Sequence, residues 1–283
     1  MADGGAGVTE PLKLLSPAKL NLFLHITGRR ADGYHQLQSV FQLLDYGDTL
    51  DFEANHSGSV TLAGDDLGLA PEHNLITRAA ALLQSGDRGA HIRVHKRIPT
   101  GGGLGGGSSN AATTLLALNH LWRRGHSNAE LQRMGLRLGA DVPVFVAGHS
   151  AWAEGVGEQL SPLELPPRWY LVIHPGCHVG TGEIFSDRQL TRDSPPITIA
   201  AFFRGGSRND CQDTVAKRYP EVAKALKWLA NFGNSRLTGT GACVFAEFSS
   251  ETEARAVLNR VPAQWTGFVA RGLNRSPVLD ALP

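Results

Sequence analysis

Residues 101–109 carry the pattern in this chain that is best suited to chemistry. Six glycines occupy the seven positions 101–107, and Ser108 and Ser109 follow them. Glycine lets the backbone adopt positive φ and leaves no side chain to block a ligand. Successive backbone N–H groups that lead into a helix bind anions such as phosphate. Because a patterned strand precedes the run and a capped helix is predicted after it, the run is interpreted as a phosphate-binding loop, with a flexible linker as the weaker alternative.

Two widespread phosphate loops do not fit this run. A P-loop requires Gly-Lys-Ser/Thr, and here Gly107 is followed by Ser108 with no lysine. The glycine spacing over residues 101–106 matches a dinucleotide-binding fingerprint, but the acidic residue expected about 20 positions later is missing from residues 119–126. A cationic side chain near the phosphates would therefore have to come from another segment.

Lys19 is a candidate for that cation, and Asp141 is a candidate for acid–base chemistry. Lys19 and Asn21 share one face of a strand predicted from the alternation over residues 19–26, while Asp141 precedes Pro143 at a predicted helix start. Taken alone, a lysine on a strand is usually solvated and an aspartate before a helix is usually its N-cap. Both interpretations of Asp141 remain open from these residues.

Composition excludes several classes of protein. The chain has 283 residues with 27 Lys and Arg against 26 Asp and Glu, so it lacks the basic surplus of a nucleic-acid-binding protein. Its three cysteines form no C-x-x-C pair, which argues against a disulfide framework and against a zinc site. No apolar run reaches the ~18 residues of a membrane helix, and residues 1–11 form a loose tail without the apolar region of a signal peptide. We expect a soluble, cytoplasmic protein without nucleic-acid or membrane partners, and the oligomeric state stays open.

Strand and helix patterns alternate irregularly along the chain. Strands are predicted over residues 19–26, 37–44, 49–53, 91–98, 169–174, 243–248 and 268–273. Helices are predicted over residues 74–83, 108–122, 128–138, 222–229 and 250–261, and another begins at residue 141. Strands and helices mixed without a regular βαβ repeat indicate an α+β architecture. The proline-rich residues 161–167 are predicted to link a domain of residues 1–160 to a domain of residues 161–283.

Some details of these elements are also predicted. The strand over residues 19–26 is expected to be half-buried, with Leu20, Leu22, Leu24 and Ile26 on one face. The helix over residues 74–83 is expected to bury Leu75, Ala79 and Leu82. Ser108 or Ser109 is expected to cap the helix after the glycine run, Gly139 to end the helix that starts at Asn128, and Ser250 with Glu253 to form a capping box.

Three segments resemble, in order, the three sequence motifs of the GHMP kinase family. They are Pro17-Ala-Lys-Leu-Asn21, residues 99–109, and Leu237-Thr-Gly-Thr-Gly-Ala242. Residues 16–24, 30–35, 139–145 and 154–158 are similar to one member of that family, whose substrate carries a cytidine diphosphate group. The resemblance covers about residues 14–282. It implies a two-domain α+β fold with an N-terminal ribosomal-protein-like β-α-β domain and a C-terminal ferredoxin-like domain, and an ATP-dependent kinase site between them.

The resemblance also implies roles for individual residues. Asp141 would be the catalytic carboxylate and Lys19 its partner, with ATP as phosphoryl donor, Mg²⁺ carried with the ATP, and no metal site of the protein's own. The implied ATP-binding residues are Asn74 at the adenine pocket and Pro99, Thr100, Gly101, Gly102, Gly103, Leu104, Gly105, Gly106, Gly107, Ser108 and Ser109. The implied substrate-binding residues are Asn21, Tyr34, His35, Thr181 and Phe185. Gly239, Thr240 and Gly241 of the third motif would lie near the phosphates.

Three alternatives remain beside this interpretation. The chain could be a GHMP kinase for another alcohol, such as homoserine, mevalonate or a sugar, although Tyr34 and His35 argue against it. It could be a non-catalytic nucleotide-binding module on the same fold, although such a descendant would be expected to lose Lys19 or Asp141. It could be a dinucleotide oxidoreductase, which the missing acidic residue disfavours. Family members commonly have proline after the threonine at position 181, and Gly182 stands there in this chain, which predicts a more flexible loop.

Overall fold

The computed structural model describes residues 11–31, 33–65, 68–70, 72–205 and 207–282, so the predicted tail lies almost wholly outside the described residues. The strands of this part of the chain are β1 (Leu12–Arg29), β2 (His35–Asn55), β3 (Val60–Gly64), β4 (Gly89–His95), β5 (Ala151–Glu154), β6 (Gln159–Pro162), β7 (Trp169–His174), β8 (Arg236–Leu237), β9 (Val244–Phe248) and β10 (Thr266–Leu273). Its helices are α1 (Leu75–Leu83), α2 (Gly106–Leu121), α3 (Asn128–Leu136), α4 (Val142–Ala147), α5 (Thr181–Ser186), α6 (Ile199–Phe203), α7 (Gln212–Arg218), α8 (Pro220–Leu229), α9 (Glu251–Leu258) and α10 (Pro277–Ala281). Within these described ranges, no helix has the length and apolar character needed to cross a bilayer.

The strands of the described residues join into one sheet whose central member is β2. This strand pairs antiparallel with β1, β4, β5 and β10, while β7, β9 and β8 extend the sheet beyond β10. The junction between the two halves of the sheet is short, since Gly272 and Leu273 of β10 lie opposite Leu44 and Leu43 of β2. Strands and helices mix without a regular βαβ repeat, so the predicted α+β architecture is confirmed.

Three apolar clusters hold the helices against this sheet. The first packs α1, α2 and α4 on β2 and β4, and the second packs α7, α8 and α9 on β7 and β9. Both clusters cross the predicted boundary at residue 160, because Val278 of α10 belongs to the first and Ile26 of β1 belongs to the second. The third cluster includes Leu20 of β1 and Tyr170 of β7. The division into residues 1–160 and 161–283 therefore stays a prediction.

The first strand differs from its predicted half-buried form. β1 is buried on both faces, and Lys19, Asn21 and His25 are each at most 5% exposed. The pairing of β1 with β2 shifts register between Asn21 and Leu24, and Phe23 joins the same apolar cluster as Leu20. A β-bulge changes which face each following residue takes, which is why strict alternation was wrong here.

The predicted helix boundaries and faces also need correction. In α1 the buried residues include Ile76 and Leu83, whereas Leu75 is only partly buried, so the face is rotated by about one residue. The first residue of α2 is Gly106 and its N-cap is Gly105 in the left-handed region, so neither Ser108 nor Ser109 is the cap. A glycine N-cap without a side chain is invisible to a search for Ser, Thr, Asp or Asn.

Two further helix ends depart from the predictions. α3 ends at Leu136, earlier than Gly139, and begins with a complete capping box of Ser127 and Glu130. At α9, Ser250 accepts a hydrogen bond from the Glu253 N–H, but the Glu253 carboxylate accepts from Ser249, so the reciprocal bond of a capping box is replaced.

Two segments predicted to be loops are more regular than expected. Ser161 and Pro162 belong to β6, and Leu165 of the proline-rich connection is buried in the third apolar cluster. The segment around Gly182 forms the helix α5 and not a loop.

Candidate active site

A cleft of about 1120 Å³ contains nearly all of the candidate residues. It is lined by β1 and β2, by the glycine run, by the first turns of α2 and α5, and by Gly239 and Thr240 of the third motif. Small-molecule pockets usually enclose about 300–1,000 Å³, so this cleft is slightly larger than that range. Ser109 and Gly241 are the candidate residues that do not line it.

Lys19 and Asp141 form an ion pair in the cleft. The Lys19 Nζ lies 3.3 Å from the Asp141 Oδ2, and the side chains are 3% and 36% exposed, respectively. The same ammonium group donates to the Asn21 Oδ1 at 2.6 Å and to the Gly103 carbonyl at 3.2 Å. Three acceptors for three N–H donors fix the ammonium group in place. The carboxylate is thus the partly exposed member of a pair whose cation is buried.

The position of Asp141 bears on its two interpretations. It occupies the N-cap position of α4, but its side chain makes no capping hydrogen bond and its backbone is helical. Capping requires a side-chain oxygen that accepts from the N2 or N3 N–H. The carboxylate instead faces Lys19, so the geometry favours the catalytic interpretation over the structural one.

Asn21 connects Lys19 to β2. Its amide nitrogen donates to the Ser39 Oγ at 2.8 Å, and Ser39 donates to the Phe23 carbonyl at 2.6 Å. With its Oδ1 accepting from Lys19, both ends of the amide are engaged and its orientation is fixed by the network. The Asn21 N–H donates to the Thr238 Oγ1 at 3.0 Å, which ties β1 to the third motif.

The glycine run uses the conformational freedom of glycine at three positions. Gly101, Gly103 and Gly105 have φ between +68° and +74°. A Cβ at Gly103 would lie 2.3 Å from the Thr238 carbonyl oxygen, so this residue also allows a close approach of two backbones. The run is held by the third motif, because the Ala242 and Cys243 N–H groups donate to the carbonyls of residues 101 and 102 at 3.1 Å. Leu104 belongs to the third apolar cluster and also lines the cleft.

The first turn of α2 supplies the anion-binding groups. The N–H groups of Gly106, Gly107 and Ser108 precede the first intrahelical donor, which is the Ser109 N–H bonded to the Gly105 carbonyl at 2.8 Å. No acidic side chain lies in this turn. Ser109 itself is buried and accepts a hydrogen bond from the Ser16 hydroxyl at 2.8 Å.

A second lysine lies beside this helix and was missed by the sequence reasoning. Lys96 lines the cleft and forms an ion pair with the buried Asp48. A Cβ at Gly106 would be 3.5 Å from its Nζ, which places the ammonium group next to the glycine run. The alternation that places Val94 and Ile98 inward also places Lys96 inward, and a lysine in an apolar position was the available signal.

Asn74 lines the cleft but also has a structural role. It is the N-cap of α1, and its Oδ1 accepts from the Ile76 N–H at 2.9 Å. Pro99 and Thr100 line the cleft just before the glycine run.

Aromatic side chains gather at the other end of the cleft. The rings of His35 and Phe185 stack with centroids 5.0 Å apart and planes 25° apart. Tyr34 lies beside them on the cleft wall and is 64% exposed. Burial lowers the pKa of His35 below its ordinary value, and the neighbouring guanidinium groups of Arg192 and Arg29 lower it further. A neutral imidazole stacked on a phenyl ring suits the binding of a flat heterocycle.

Thr181 and the third motif connect the two ends of the cleft. The hydroxyl groups of Thr181 and Thr240 lie 3.0 Å apart, within hydrogen-bond distance. Gly239 and Thr240 line the cleft, while Gly241 lies behind them next to Leu237.

Comparisons with known proteins show the family of this chain. The family profile "GHMP kinases N terminal domain" matches residues 74–149, and the profile "GHMP kinases C terminal" matches residues 197–267. A 4-diphosphocytidyl-2-C-methyl-D-erythritol kinase of Alkalilimnicola ehrlichii is 57% identical over 270 residues, which cover 94% of this chain and 93% of that protein. The protein of the same name from Hahella chejuensis is 52% identical over 287 residues, which cover 96% of this chain and 97% of that protein.

A solved structure shows the same fold. The crystal structure of a 4-(cytidine 5'-diphospho)-2C-methyl-D-erythritol kinase superposes with a TM-score of 0.79 at 33% sequence identity. The superposition covers 92% of this chain and 98% of that chain, so it spans both halves of the sheet.

Proposed function

We propose that this chain, which belongs to the GHMP kinase family and within it to the 4-diphosphocytidyl-2-C-methyl-D-erythritol kinases, has the activity of that group. It transfers the γ-phosphoryl group of ATP to the 2-hydroxyl of 4-diphosphocytidyl-2-C-methyl-D-erythritol. This reaction is a step of non-mevalonate isoprenoid synthesis. The observation that carries the proposal is the Lys19–Asp141 pair at 3.3 Å, in a cleft shared with an anion-binding helix start and a stacked aromatic pair.

Lys19 and Asp141 have complementary roles in this reaction. Asp141 orients the acceptor hydroxyl and accepts its proton, which a partly exposed carboxylate can do. Lys19 is held by three acceptors, so its charge is preorganised beside the carboxylate and beside the negative charge that develops during transfer. Phosphoryl transfer passes through a loose transition state, so positioning and charge neutralisation contribute more than covalent chemistry.

The backbone of residues 105–108 binds the triphosphate. Its N–H groups and the helix dipole favour negative charge at the start of α2. The described residues hold no cluster of three or more His, Cys, Asp or Glu for a resident cation, whereas Mg²⁺ characteristically binds phosphate oxygens with water and one or two carboxylates. Mg²⁺ carried with ATP would neutralise phosphate charge, and Asp141 is a partly exposed carboxylate of the cleft.

The aromatic end of the cleft supports the cytidine substrate over other alcohols. Stacked rings and a neutral imidazole recognise a base, whereas mevalonate, homoserine and galactose have no aromatic ring to stack. We also place the enzyme in the cytoplasm, and the three cysteines support this because none of them forms a disulfide.

A coupled ADP-release assay tests the function. The purified chain is given ATP, Mg²⁺ and 4-diphosphocytidyl-2-C-methyl-D-erythritol, with mevalonate, homoserine and galactose in parallel. We expect a preference of roughly tenfold to a hundredfold in kcat/KM for the cytidine substrate, since base stacking contributes about 1–3 kcal/mol per base. Turnover of another alcohol at a higher kcat/KM would overturn the substrate, and release of no ADP with any alcohol would overturn the kinase activity.

A further inference from the structure

Arg192 lies behind the aromatic end of the cleft, in the connection between α5 and α6. Its Nε donates to the His35 Nε2 at 3.1 Å. Its Nη2 donates to the Phe185 carbonyl at 2.9 Å and to the Asp187 carbonyl at 2.6 Å, and its Nη1 donates to the Leu190 carbonyl at 3.0 Å. The guanidinium group of Arg192 thus contacts the ring of His35 and the backbone of Phe185.

The hydrogen bond to His35 determines the tautomer of the imidazole. A guanidinium N–H only donates, so the Nε2 that receives it must carry a lone pair. The proton of the neutral ring then lies on Nδ1, and a second proton on Nε2 would place two donors against each other. The contact therefore fixes which ring nitrogen donates and which accepts.

The charge of Arg192 is not neutralised by an ion pair among the described residues, since its four partners are three carbonyls and one ring nitrogen. Of the acidic groups on α5 and just after it, Asp187 pairs with Arg218 and also interacts electrostatically with Arg192, while Glu183 accepts from the Tyr219 hydroxyl. The guanidinium charge of Arg192 also acts on His35, together with that of Arg29, which lies opposite His35 on β1. Both cations oppose protonation of the imidazole.

We propose that Arg192 is a positioning residue for base recognition, which holds His35 in its neutral Nδ1–H tautomer and fixes the Phe185 end of α5 against it. Nearly all of its donors are used within the protein, so Arg192 acts through His35 and Phe185 and does not itself contact the base. The inference rests on the proposed function, because it gives the reason why the aromatic end is ordered for a cytosine. Arginine is required at this position, since a lysine ammonium cannot direct a planar fork at four acceptors.

The first experiment observes His35 without any substrate. Ring ¹⁵N NMR spectra of the full chain give the tautomer and the titration of His35, whose signals are assigned by their loss in His35→Gln. In Arg192→Met we expect a mixture of both tautomers and a titration at higher pH than in the wild type, because a cation and a donor are removed. In Arg192→Lys we expect mixed tautomers with a smaller upward shift, because the charge remains and the fork is lost.

The second experiment measures recognition of the base. Calorimetry with cytidine diphosphate should give a Kd up to about tenfold higher for Arg192→Met, because a His35 ring in mixed tautomers loses its one neutral hydrogen bond to the base, while the Kd for ATP stays unchanged. The KM for the cytidine substrate should begin to rise at a higher pH on acidification than in the wild type, since His35 becomes protonated earlier.

Arg218→Met is the matched control. Arg218 also holds the segment after α5, through Asp187, but does not contact His35. It should leave the His35 tautomer and the Kd for cytidine diphosphate as in the wild type, and a change as large as that in Arg192→Met would overturn the proposal. Wild-type tautomer and titration in Arg192→Met would overturn it as well. A wild-type chain that fails to bind cytidine diphosphate would instead contradict the proposed function, so the two failures are distinguishable.

Discussion

The two ends of the cleft are built in different ways. The phosphate end is made mostly of backbone from one continuous segment, residues 99–108, and the third motif holds it by main-chain hydrogen bonds. The base end is made of side chains from three separate segments, namely Tyr34 with His35, Thr181 with Phe185, and Arg192. Binding by a continuous backbone requires glycines at fixed positions, and these glycines form a recognisable sequence pattern. Binding by side chains from separate segments leaves no single continuous pattern in the sequence.

The two ends also differ in how specific their binding is. Backbone N–H groups at a helix start bind any phosphate chain, because they recognise charge and not a ring system. In our proposal the stacked His35 and Phe185 rings, which Arg192 holds in position, select a flat base. Lys19 and Asp141 belong to neither end alone, since Lys19 contacts the glycine run of the phosphate end and Asp141 faces the open cleft. Substitutions at each place should therefore change different kinetic constants.

The largest effect is expected at the reacting groups. Asp141→Asn should fold and bind both substrates, and should lower kcat by about 10²–10⁴, the usual contribution of a positioned general base. The loss can lie at the lower end, because a loose transition state keeps the hydroxyl proton until late in the reaction. Single-turnover phosphorylation by saturated enzyme measures it. A near wild-type rate would mean that Asp141 is only a residue at the start of α4 and not a catalytic carboxylate.

Lys19→Met serves as the partner variant for this prediction. It should also lower kcat, and the double variant should lose less than the product of the two single losses, because the pair acts as a unit. Fully multiplicative losses would mean that the 3.3 Å contact has no part in the reaction.

The second-largest effect is expected at the base end. Phe185→Ala should raise the KM for the cytidine substrate by roughly tenfold to a hundredfold, since stacking is worth about 1–3 kcal/mol per base, and His35→Ala should also raise it. The KM for ATP should change little, because neither ring is near the glycine run. Steady-state kinetics with each substrate varied in turn provides the measurement. Equal increases in both KM values would remove the functional difference between the two ends.

A smaller effect on kinetics is expected for Gly107→Ala, and it should be accompanied by a gain in stability. This residue is exposed in the first turn of α2, and a Cβ there would find its nearest neighbour, the Leu75 Cδ1, at 3.6 Å. Gly107→Ala should therefore stabilise the fold by up to about 1 kcal/mol through helix propensity, which urea unfolding measures. The same methyl group would obstruct the approach of a phosphate to the backbone, so we expect the KM for ATP to rise about tenfold.

Gly182→Ala is the matched control at the base end. Gly182 also lies in the first turn of a cleft-lining helix, and a Cβ there would have no neighbour within 4 Å. It should leave the KM for ATP unchanged. If Gly107→Ala binds ATP like the wild type, the start of α2 does not hold the phosphates.

Much of the phosphate end could be predicted from the sequence, because its determinants are local. The glycine run and the helix after it follow from residue types and periodicity, whereas Lys19 was only a candidate until the family resemblance implied its role. The helix cap was missed because Gly105 caps α2 without a side chain. Lys96 could have been found from its inward position, but the buried Asp48 that holds it is distant in sequence. The contact between them exists only after β2 and the end of β4 are brought together.

The base end could not be derived from local patterns. Tyr34, His35, Thr181 and Phe185 were proposed from a family resemblance, and no periodicity connects them. Arg192 lies in an irregular connection without a motif, and its four acceptors become neighbours only in the folded chain. The same limit explains the error in β1, where a bulge set by pairing with β2 moved Phe23 to the face of Leu20.

The smallest expected effect tests whether the two ends are independent. The hydroxyl groups of Thr181, in α5 at the base end, and Thr240, in the third motif at the phosphate end, lie 3.0 Å apart. Thr181→Val removes one hydroxyl, and a partly exposed hydrogen bond contributes about 0.5–1.5 kcal/mol at most. Because the bond joins both ends, we expect the KM for ATP and the KM for the cytidine substrate each to rise about threefold. Thr240→Val should do the same, and the double variant should be no worse than either single variant, since only one contact is lost. An increase confined to the cytidine substrate in Thr181→Val would instead show that its hydroxyl serves the substrate directly and that the two ends bind their ligands independently.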